Sequence, residues 1–553
     1  MSQKKVLIIG GVAGGASAAA RLRRLDENAN IVIIEKGPYI SFANCGLPYY
    51  LGGTIRDRSA LTLQTPESFH GRFCVDVRVY SEAVAIHPKQ KTVTIRNLQT
   101  GEDYEESYDS LILAMGADAS TPPIPGLSSQ KVFTVRNIPD TVAVQSYIAQ
   151  NHPKEALIIG GGFIGLEVAE NLCQLGVKVT LAEMADQVLP SLDPEMAAQL
   201  HTHLQQKGVR LLLQSALTEI RETETGLSAV VNGETFETGL LILAAGVRPA
   251  SKIARDAGIP TNDRGAILVN SAMETQVPGI YAVGDLVETT HFVTGQKTYL
   301  PLAGPANRQG RVAADNICGI PSRYTGAQGS SILKLFDLTA ASTGINEKTA
   351  KALGLDYEKT YLFPANHATY YPGASNLSMK VIFEKKTGKI LGAQIIGTEG
   401  VDKRCDVLAT AIRAGMTGHD LTELELCYAP PFGSAKDPIN MAGYIIENIL
   451  SGLVKVFHWH QVEEARNDPD GLCIDVRTPM EYMVGTIPGF VNIPLDSLRE
   501  HLAEIPRDKT LYVTCQVGLR GYLAARILAQ HGYNVYNLSG GYRLYQSIFG
   551  SNR

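Results

Sequence analysis

Short apolar runs closed by glycine recur through the first half of the chain: residues 6–10, 108–117, 156–159, 240–249 and 279–285. The first run leads through Gly10-Gly11-Val12-Ala13-Gly14-Gly15 into an alanine-rich stretch of helical character and then a second strand over 31–35. A similar succession starts at Ala156, passes through Gly160-Gly161-Gly162-Phe163-Ile164-Gly165, and reaches a strand over 177–183. Both successions predict a βαβ unit. The strand-to-glycine runs after each of them imply an internal duplication.

Beyond this region the pattern changes. Strand-like 331–336, 379–383 and 390–396, followed by a helical 403–414, predict an α+β segment. After Ile449-Leu450-Ser451-Gly452, a linker signal, it restarts with strands at 472–476 and 511–514 and a helix from about Tyr522. A chain of 553 residues is too long for one core and predicts several domains.

Composition narrows the classes. With 44% hydrophobic residues, 19% charged and a net charge of −5, the chain reads as ordinary soluble protein without a nucleic-acid surface. No apolar run approaches the roughly 20 residues of a membrane span. Lys4-Lys5 before an apolar stretch imitates a signal peptide, but the glycines there complete a nucleotide fingerprint. Eight cysteines scattered singly give neither a disulfide framework nor a CxxC metal pair, so a reducing cytoplasm and no metal are expected. His458-Trp459-His460 is too isolated to read as a metal site.

The glycines carry chemistry. Gly10, Gly14 and Gly15 permit a tight turn and close helix packing, so that a helix N-terminus can receive a pyrophosphate, and Glu35 can bond a ribose hydroxyl. Val12 replaces the middle glycine there, whereas Gly160, Gly162 and Gly165 satisfy the second fingerprint fully and Glu183 ends its strand. A cysteine followed by Gly-x-Pro, Cys45, comes soon after the first unit; at a helix start its thiolate would be favoured.

Jointly, the two fingerprints, the two strand-glycine runs and Tyr281-Ala282-Val283-Gly284-Asp285 resemble the FAD- and NAD(P)-dependent pyridine nucleotide-disulfide oxidoreductases. The resemblance implies two Rossmann-like α/β domains: an FAD domain over 1–112 and 246–325, with Glu35 on the adenosine ribose and Asp285 at the ribityl chain, and a nicotinamide domain over 113–245. Glu183 would repel a 2′-phosphate, so NADH is expected over NADPH. It implies a dimerisation domain over 326–447, hence a homodimer. There His367-Ala368-Thr369-Tyr370-Tyr371-Pro372-Gly373 and the stretch from Tyr428 to Asp437 resemble the coenzyme A-disulfide reductase branch, in which Tyr370 and Tyr428 would reach the active cysteine of the other subunit. Beyond a linker at 448–456, residues 457–553 resemble a rhodanese domain, with Thr486 where histidine is frequent.

Cys45 has Tyr50 where glutathione reductase-like enzymes carry a second cysteine, so an internal disulfide cannot store electrons. A single thiolate beside a flavin can instead attack a substrate sulfur–sulfur bond and form a mixed disulfide. A sulfenic acid cycle, as in NADH peroxidase and oxidase, is disfavoured because those relatives place a histidine where Val12 and Ala13 stand. For coenzyme A, the resemblance brings Ser17, Arg21, Arg24, Ser41, Asn44 and Arg72 near the ligand, although Phe73 stands where a lysine is expected. The loop from Cys515 to Arg520 presents a thiolate to successive backbone N–H groups, a nest for a persulfide. Core packing is expected for Cys74, Cys173, Cys318, Cys405, Cys427 and Cys473. The whole reads as a coenzyme A-disulfide reductase/rhodanese fusion type, reducing persulfides, polysulfides or CoA disulfides. The alternative is a sulfur-trafficking protein whose rhodanese domain delivers persulfide to another protein.

Overall fold

Strand Lys5–Ile9 forms because Val6, Leu7 and Ile8 can be buried without remainder: it is the middle of an all-parallel sheet in the order Ile280–Ala282, Ser110–Leu113, Lys5–Ile9, Asn30–Ile34, Asp76–Arg78. A parallel sheet covered on both faces needs apolar side chains on both, which is why these runs do not alternate. Glu155–Ile159 is its counterpart in a second parallel sheet, ordered Arg210–Leu212, Lys178–Ala182, Glu155–Ile159, Leu240–Leu243, Val132–Phe133. Each sheet is accompanied by a three-stranded antiparallel meander, Ser81–His87 to Asp103–Ser107 and Leu217–Glu222 to Glu234–Thr238. The duplication expected from the sequence is therefore present in strand order as well as in motif.

This computed structural model describes residues 3–224 and 226–550. Both sheets lie in one unit, Met1–Asp186 with Gly208–Gly329; the second unit is Gln187–Lys207 with Ser330–Arg553. Residues 187–207, expected inside the nicotinamide domain, thus belong to the other unit. The reason is electrostatic. In that second unit Lys380 is fully buried, and its ammonium bonds Asp193 at 2.7 Å, Glu347 at 2.5 Å, and Glu195. Asp193 precedes helix Pro194–Gln206 and Glu195 lies in its first turn, so that segment supplies two of the three carboxylates that neutralise the buried Lys380.

The second unit holds two sheets. One is antiparallel, Ser331–Leu335, Leu338–Gly344, Ile390–Gly397, Ser378–Glu384, Tyr357–Leu362, and helix Val401–Ala414 packs on it. The other is parallel, Lys455–Phe457, Asn534–Leu538, Thr510–Thr514, Gly471–Asp475, Val491–Asn492. Residues 448–456 are only in part the expected linker: helix Pro438–Leu450 occupies their start and edge strand Lys455–Phe457 their end, leaving residues 451–454 as the connection.

So short a connection goes with a docked C-terminal sheet. His458 Nε2 meets Glu358 Oε1 at 2.8 Å, the Tyr361 N–H donates to Ser539 Oγ at 3.3 Å, and the Arg543 guanidinium lies 4.9 Å from the Phe363 ring centroid. Among the described residues no helix is long and apolar enough to cross a membrane.

Candidate active site

Two glycine turns prepare the first unit for dinucleotides. Gly10 (φ +99°) and Gly160 (φ +112°) occupy the left-handed region, and a Cβ on either would lie 2.3 Å from the carbonyl oxygen of Ala114 or Ala244. A Cβ on Gly15 or Gly165 would lie 1.9 Å from the carbonyl of Gly10 or Gly160, so each helix can approach its strand only as glycine. A Cβ on Gly14 would come 2.8 Å from Val283, whereas Gly162 opens on free space. Helices Ala13–Leu25 and Phe163–Gln174 begin on these turns without a side-chain cap, leaving first-turn N–H groups for a phosphate. The acidic ends match too. Glu35 accepts from the N–H groups of Gly11 (2.9 Å) and Gly37 (2.8 Å), and Glu183 from those of Gly161 (2.6 Å) and Ala185 (2.8 Å). Both cradles fit adenine dinucleotides on the evidence of the turns themselves.

Cys45 lies in the one-turn 3₁₀ helix Asn44–Gly46, which leads into helix Leu47–Leu51 with Pro48 in its first turn. A five-residue helix is too short for the thiolate-stabilising start expected from the sequence, and the charges oppose it. The residue is exposed, yet the thiol is pushed up from its usual value by partial desolvation and by the carboxylates of Glu167 and Asp285, against the pull of the Arg136 guanidinium.

The sequence did not single out Glu167. It stands two positions past Gly165, in the first turns of the helix that follows the second glycine fingerprint, where it shares the helix with Glu170. Burial, with Glu170 adding repulsion, raises its carboxyl to about 7. Tyr49 donates its hydroxyl to Glu167 at 3.3 Å, and burial with this carboxylate pushes the phenol well above its ordinary value. The Cys45 turn is held in place by Gln145 Nε2, bonded to the Tyr50 carbonyl at 2.7 Å, and by Gly52, where a Cβ would lie 2.0 Å from Asn171 Oδ1. Asp285, whose carboxyl burial also raises, faces Arg136 Nη2 at 3.5 Å.

The residues expected around coenzyme A divide. Asn44 Oδ1 is buried without a partner, an acceptor available to a ligand. Ser41 has φ +45° and is anchored by its N–H to the Gly11 carbonyl at 2.8 Å. Ser17 Oγ bonds Asn307 at 2.7 Å. Arg21 does not present an uncommitted guanidinium, because it pairs with Asp315 at 2.7 Å. Arg24 and Arg72 are exposed on their helices, and Phe73 packs against Phe69 with ring centroids 4.9 Å apart and planes tilted by 50°.

In the second unit, the hydroxyls of Tyr370 and Tyr428 meet at 2.9 Å on an exposed surface, and this hydrogen bond raises Tyr370 from its ordinary value. A second cysteine site is built at the end of strand Thr510–Thr514. Cys515 is fully buried and accepts from the Gly518 N–H at 3.1 Å, the first bond of the expected nest. The loop is closed from behind by helix Gly541–Phe549, whose Tyr542 N–H donates to the Cys515 carbonyl at 2.8 Å. Arg520 makes two 2.7 Å bonds to Glu481, and the pair holds the Glu481 carboxyl down at about 2. Thr486 donates to Asp475 at 3.1 Å, where Asp475 already holds Arg477 at 2.7 Å. Threonine in the place of the frequent histidine is thus part of that ion pair's support.

All eight cysteines are free. Of the six outside the two sites, Cys405 and Cys473 are buried and Cys173 and Cys318 partly so; Cys74 and Cys427, contrary to expectation, are exposed. They lie on a left-handed helix end and on an irregular stretch.

Residues 4–310 match the family described as pyridine nucleotide-disulphide oxidoreductase, more than half of the chain. The chain belongs to that family. The oxidoreductase's dimerisation domain matches residues 330–437, and a rhodanese-like domain matches residues 458–548. This oxidoreductase is 37% identical over 442 residues to the coenzyme A disulfide reductase of Staphylococcus haemolyticus (strain JCSC1435), covering 80% of this chain and 99% of the relative. It is similar to the crystal structure of reduced Bacillus anthracis CoADR-RHD, with a TM-score of 0.97, 49% identity, and coverage of 100% and 99%. It is also similar to an NAD-dependent persulfide reductase from A. fulgidus, with a TM-score of 0.91, 38% identity, and coverage of 99% and 100%. The expected fold, two Rossmann-like domains, an α+β dimerisation domain and a C-terminal rhodanese domain, is the fold of this oxidoreductase.

Proposed function

We propose that this oxidoreductase uses NADH and FAD to reduce persulfides, polysulfides or CoA disulfides at Cys45, and that its rhodanese domain transfers sulfane sulfur at Cys515. The observation that carries the reading is the lone thiol of Cys45 in a chain that also holds a nested Cys515. The named activities of the S. haemolyticus and A. fulgidus relatives support it.

When bound, FAD and NADH supply the electron pair that reduces sulfur–sulfur bonds. Glu35 and Glu183 would take the two adenosine riboses, with Asp285 at the ribityl chain. Cys45, as thiolate, attacks the carbon-bound sulfur of a persulfide RS–SH, displacing hydrosulfide and forming Cys45–S–S–R; two electrons and a proton then release RSH and restore the thiolate. Because desolvation and the facing carboxylates raise the Cys45 thiol, a proton acceptor favours the attack, and Glu167 is the carboxylate coupled to it with affinity near neutrality.

In a homodimer, which the matched dimerisation domain supports, Tyr370 and Tyr428 of one subunit would stand at the Cys45 of the other and protonate the departing thiolate. Ser17, Ser41 and Asn44 would contact coenzyme A, with Arg24 and Arg72 toward its phosphates and Arg21 acting through Asp315. We place the protein in the cytoplasm, as its unpaired cysteines favour.

The test is NADH oxidation by the holoenzyme over CoA persulfide, glutathione persulfide, polysulfide and CoA disulfide, with sulfide release measured in parallel. Turnover with none of the four, in protein that carries FAD, removes the reading. Sulfide release that requires an acceptor protein turns it toward sulfur trafficking.

A further inference from the structure

Three arginines stand around the Cys515 loop, and all three are committed. Arg520 is held by both oxygens of Glu481 at 2.7 Å. Arg477, only 2% exposed, bonds Asp475 at 2.7 Å, Gln516 Oε1 at 3.2 Å and the Gly485 carbonyl at 2.6 Å, with its face 4.1 Å from the Tyr542 ring centroid. Arg543 donates its backbone N–H to the Gln516 carbonyl at 2.9 Å, but its guanidinium is turned over Phe363.

The rim is apolar. Helix Pro479–Val484 exposes Met480, Met483 and Val484 to 75%, 76% and 92%, and helix Leu519–Gln530 exposes Leu519 and Leu523 to 59% and 45%. Single exposed apolar residues need no explanation, but these five sit on two helices tied together by the Arg520–Glu481 pair at the loop itself.

We propose that the sulfur donor of the Cys515 site is an organic persulfide with an alkyl arm, and not an inorganic dianion such as thiosulfate. This rests on reading Cys515 as the sulfurtransferase nucleophile. A dianion entering the cup would give up water for guanidinium groups already engaged, and would meet the carboxylate of Glu481. An alkyl arm would cover the methionine and leucine side chains instead. In the transfer, the Cys515 thiolate attacks the terminal sulfur of RS–SH. The Sγ–S bond forms as the RS–S bond breaks; RS⁻ leaves with the bonding pair and takes up a proton, and Cys515 is left as a persulfide with no net oxidation or reduction.

The experiment uses anaerobic full-length holoenzyme freed of sulfane sulfur. It is offered either thiosulfate or the persulfide of N-acetylcysteamine, and persulfide on the Cys515 peptide is followed by mass spectrometry. Loading by the organic persulfide should be faster by about tenfold or more, a contrast of the size expected for an unmatched desolvated charge. Glu481→Gln releases Arg520 and should raise the thiosulfate-to-organic ratio several-fold. Met483→Lys, which adds a cation on the rim and leaves the ion pairs intact, should move the ratio in the same direction even if the first variant misfolds. Wild-type loading by thiosulfate at or above the organic rate overturns the proposal, as does a ratio unmoved by Met483→Lys. Loading by neither donor removes the sulfurtransferase reading itself, and this proposal with it.

Discussion

The phenol of Tyr49 donates to the carboxylate of Glu167 across 3.3 Å, joining the turn that carries Cys45 to the first helix of the second glycine fingerprint. The turn of Cys45 and the helix of the second glycine fingerprint thereby share one titratable group. Protonation of Glu167 is sensed at Cys45, because the charge of one raises the other.

Glu167→Gln should therefore make Cys45 more reactive toward iodoacetamide at neutral pH, by roughly 3- to 10-fold, since one opposing charge is lost. The pH dependence of that reaction should lose any step near 7. An unchanged profile would show that Glu167 does not govern the thiol.

The same carboxyl has a stability signature. Its folded value of about 7 lies above the ordinary 4.5, so the native state binds more protons and stability declines as pH rises between those values. Glu167→Gln should gain about 1–3 kcal/mol over wild type at pH 8 and nothing near pH 4. Urea midpoints at the two pH values measure the difference.

Glu183→Ala should narrow the preference for NADH over NADPH by removing the carboxylate bonded to Gly161 and Ala185. We expect about a tenfold change in the ratio of kcat/KM values, with most of it in the NADPH term. Equal use of the two nucleotides by wild type would refute the assignment.

Cys45→Ser should still bind FAD and accept hydride, as read by flavin absorbance, but lose turnover with every persulfide and disulfide. Retained turnover above a few per cent of wild type would place the chemistry on another thiol.

Lys380→Met leaves Asp193, Glu195 and Glu347 buried together without their shared cation, at a cost of about 3–5 kcal/mol. The charges of Lys380 and Lys359 hold Glu347 far below its ordinary value, and Lys380 also lowers Glu195. Depressed carboxyls stabilise above the unfolded range near 4.5 and lose that contribution as pH falls toward their folded values, so wild type should weaken in acid more steeply than the variant. Thermal melts from neutral to acid pH compare the two slopes.

The strands were legible because burial on both faces leaves no choice of residue: Val6 to Ile8 and Leu240 to Leu243 could not read otherwise. The glycine turns were legible for an equally local reason, the carbonyl standing where a Cβ would be. What surrounds Cys45 was legible only in Asp285, through its glycine-closed run; Glu167 and Arg136 come from distant segments, and no periodicity announces them. The expected help to the thiolate from a helix start is opposed for that reason: Cys45-Gly-Leu-Pro48 gave a helix start, but its length and the facing charges were set elsewhere. Arg520 was legible as a residue of the Cys515 loop, but not its commitment to Glu481.

The excursion of residues 187–207 also limits how the protein can be dissected. A fragment cut at residue 330 would keep Lys380 and Glu347 but lose Asp193 and Glu195, and with them the acceptor of the Tyr361 hydroxyl, whose backbone N–H reaches Ser539. Truncation would then leave Lys380 with one of its three carboxylates, the inverse of the imbalance that Lys380→Met creates. An autonomous C-terminal half would have to be made by splicing helix Pro194–Gln206 onto it, or by co-expressing that helix as a separate peptide.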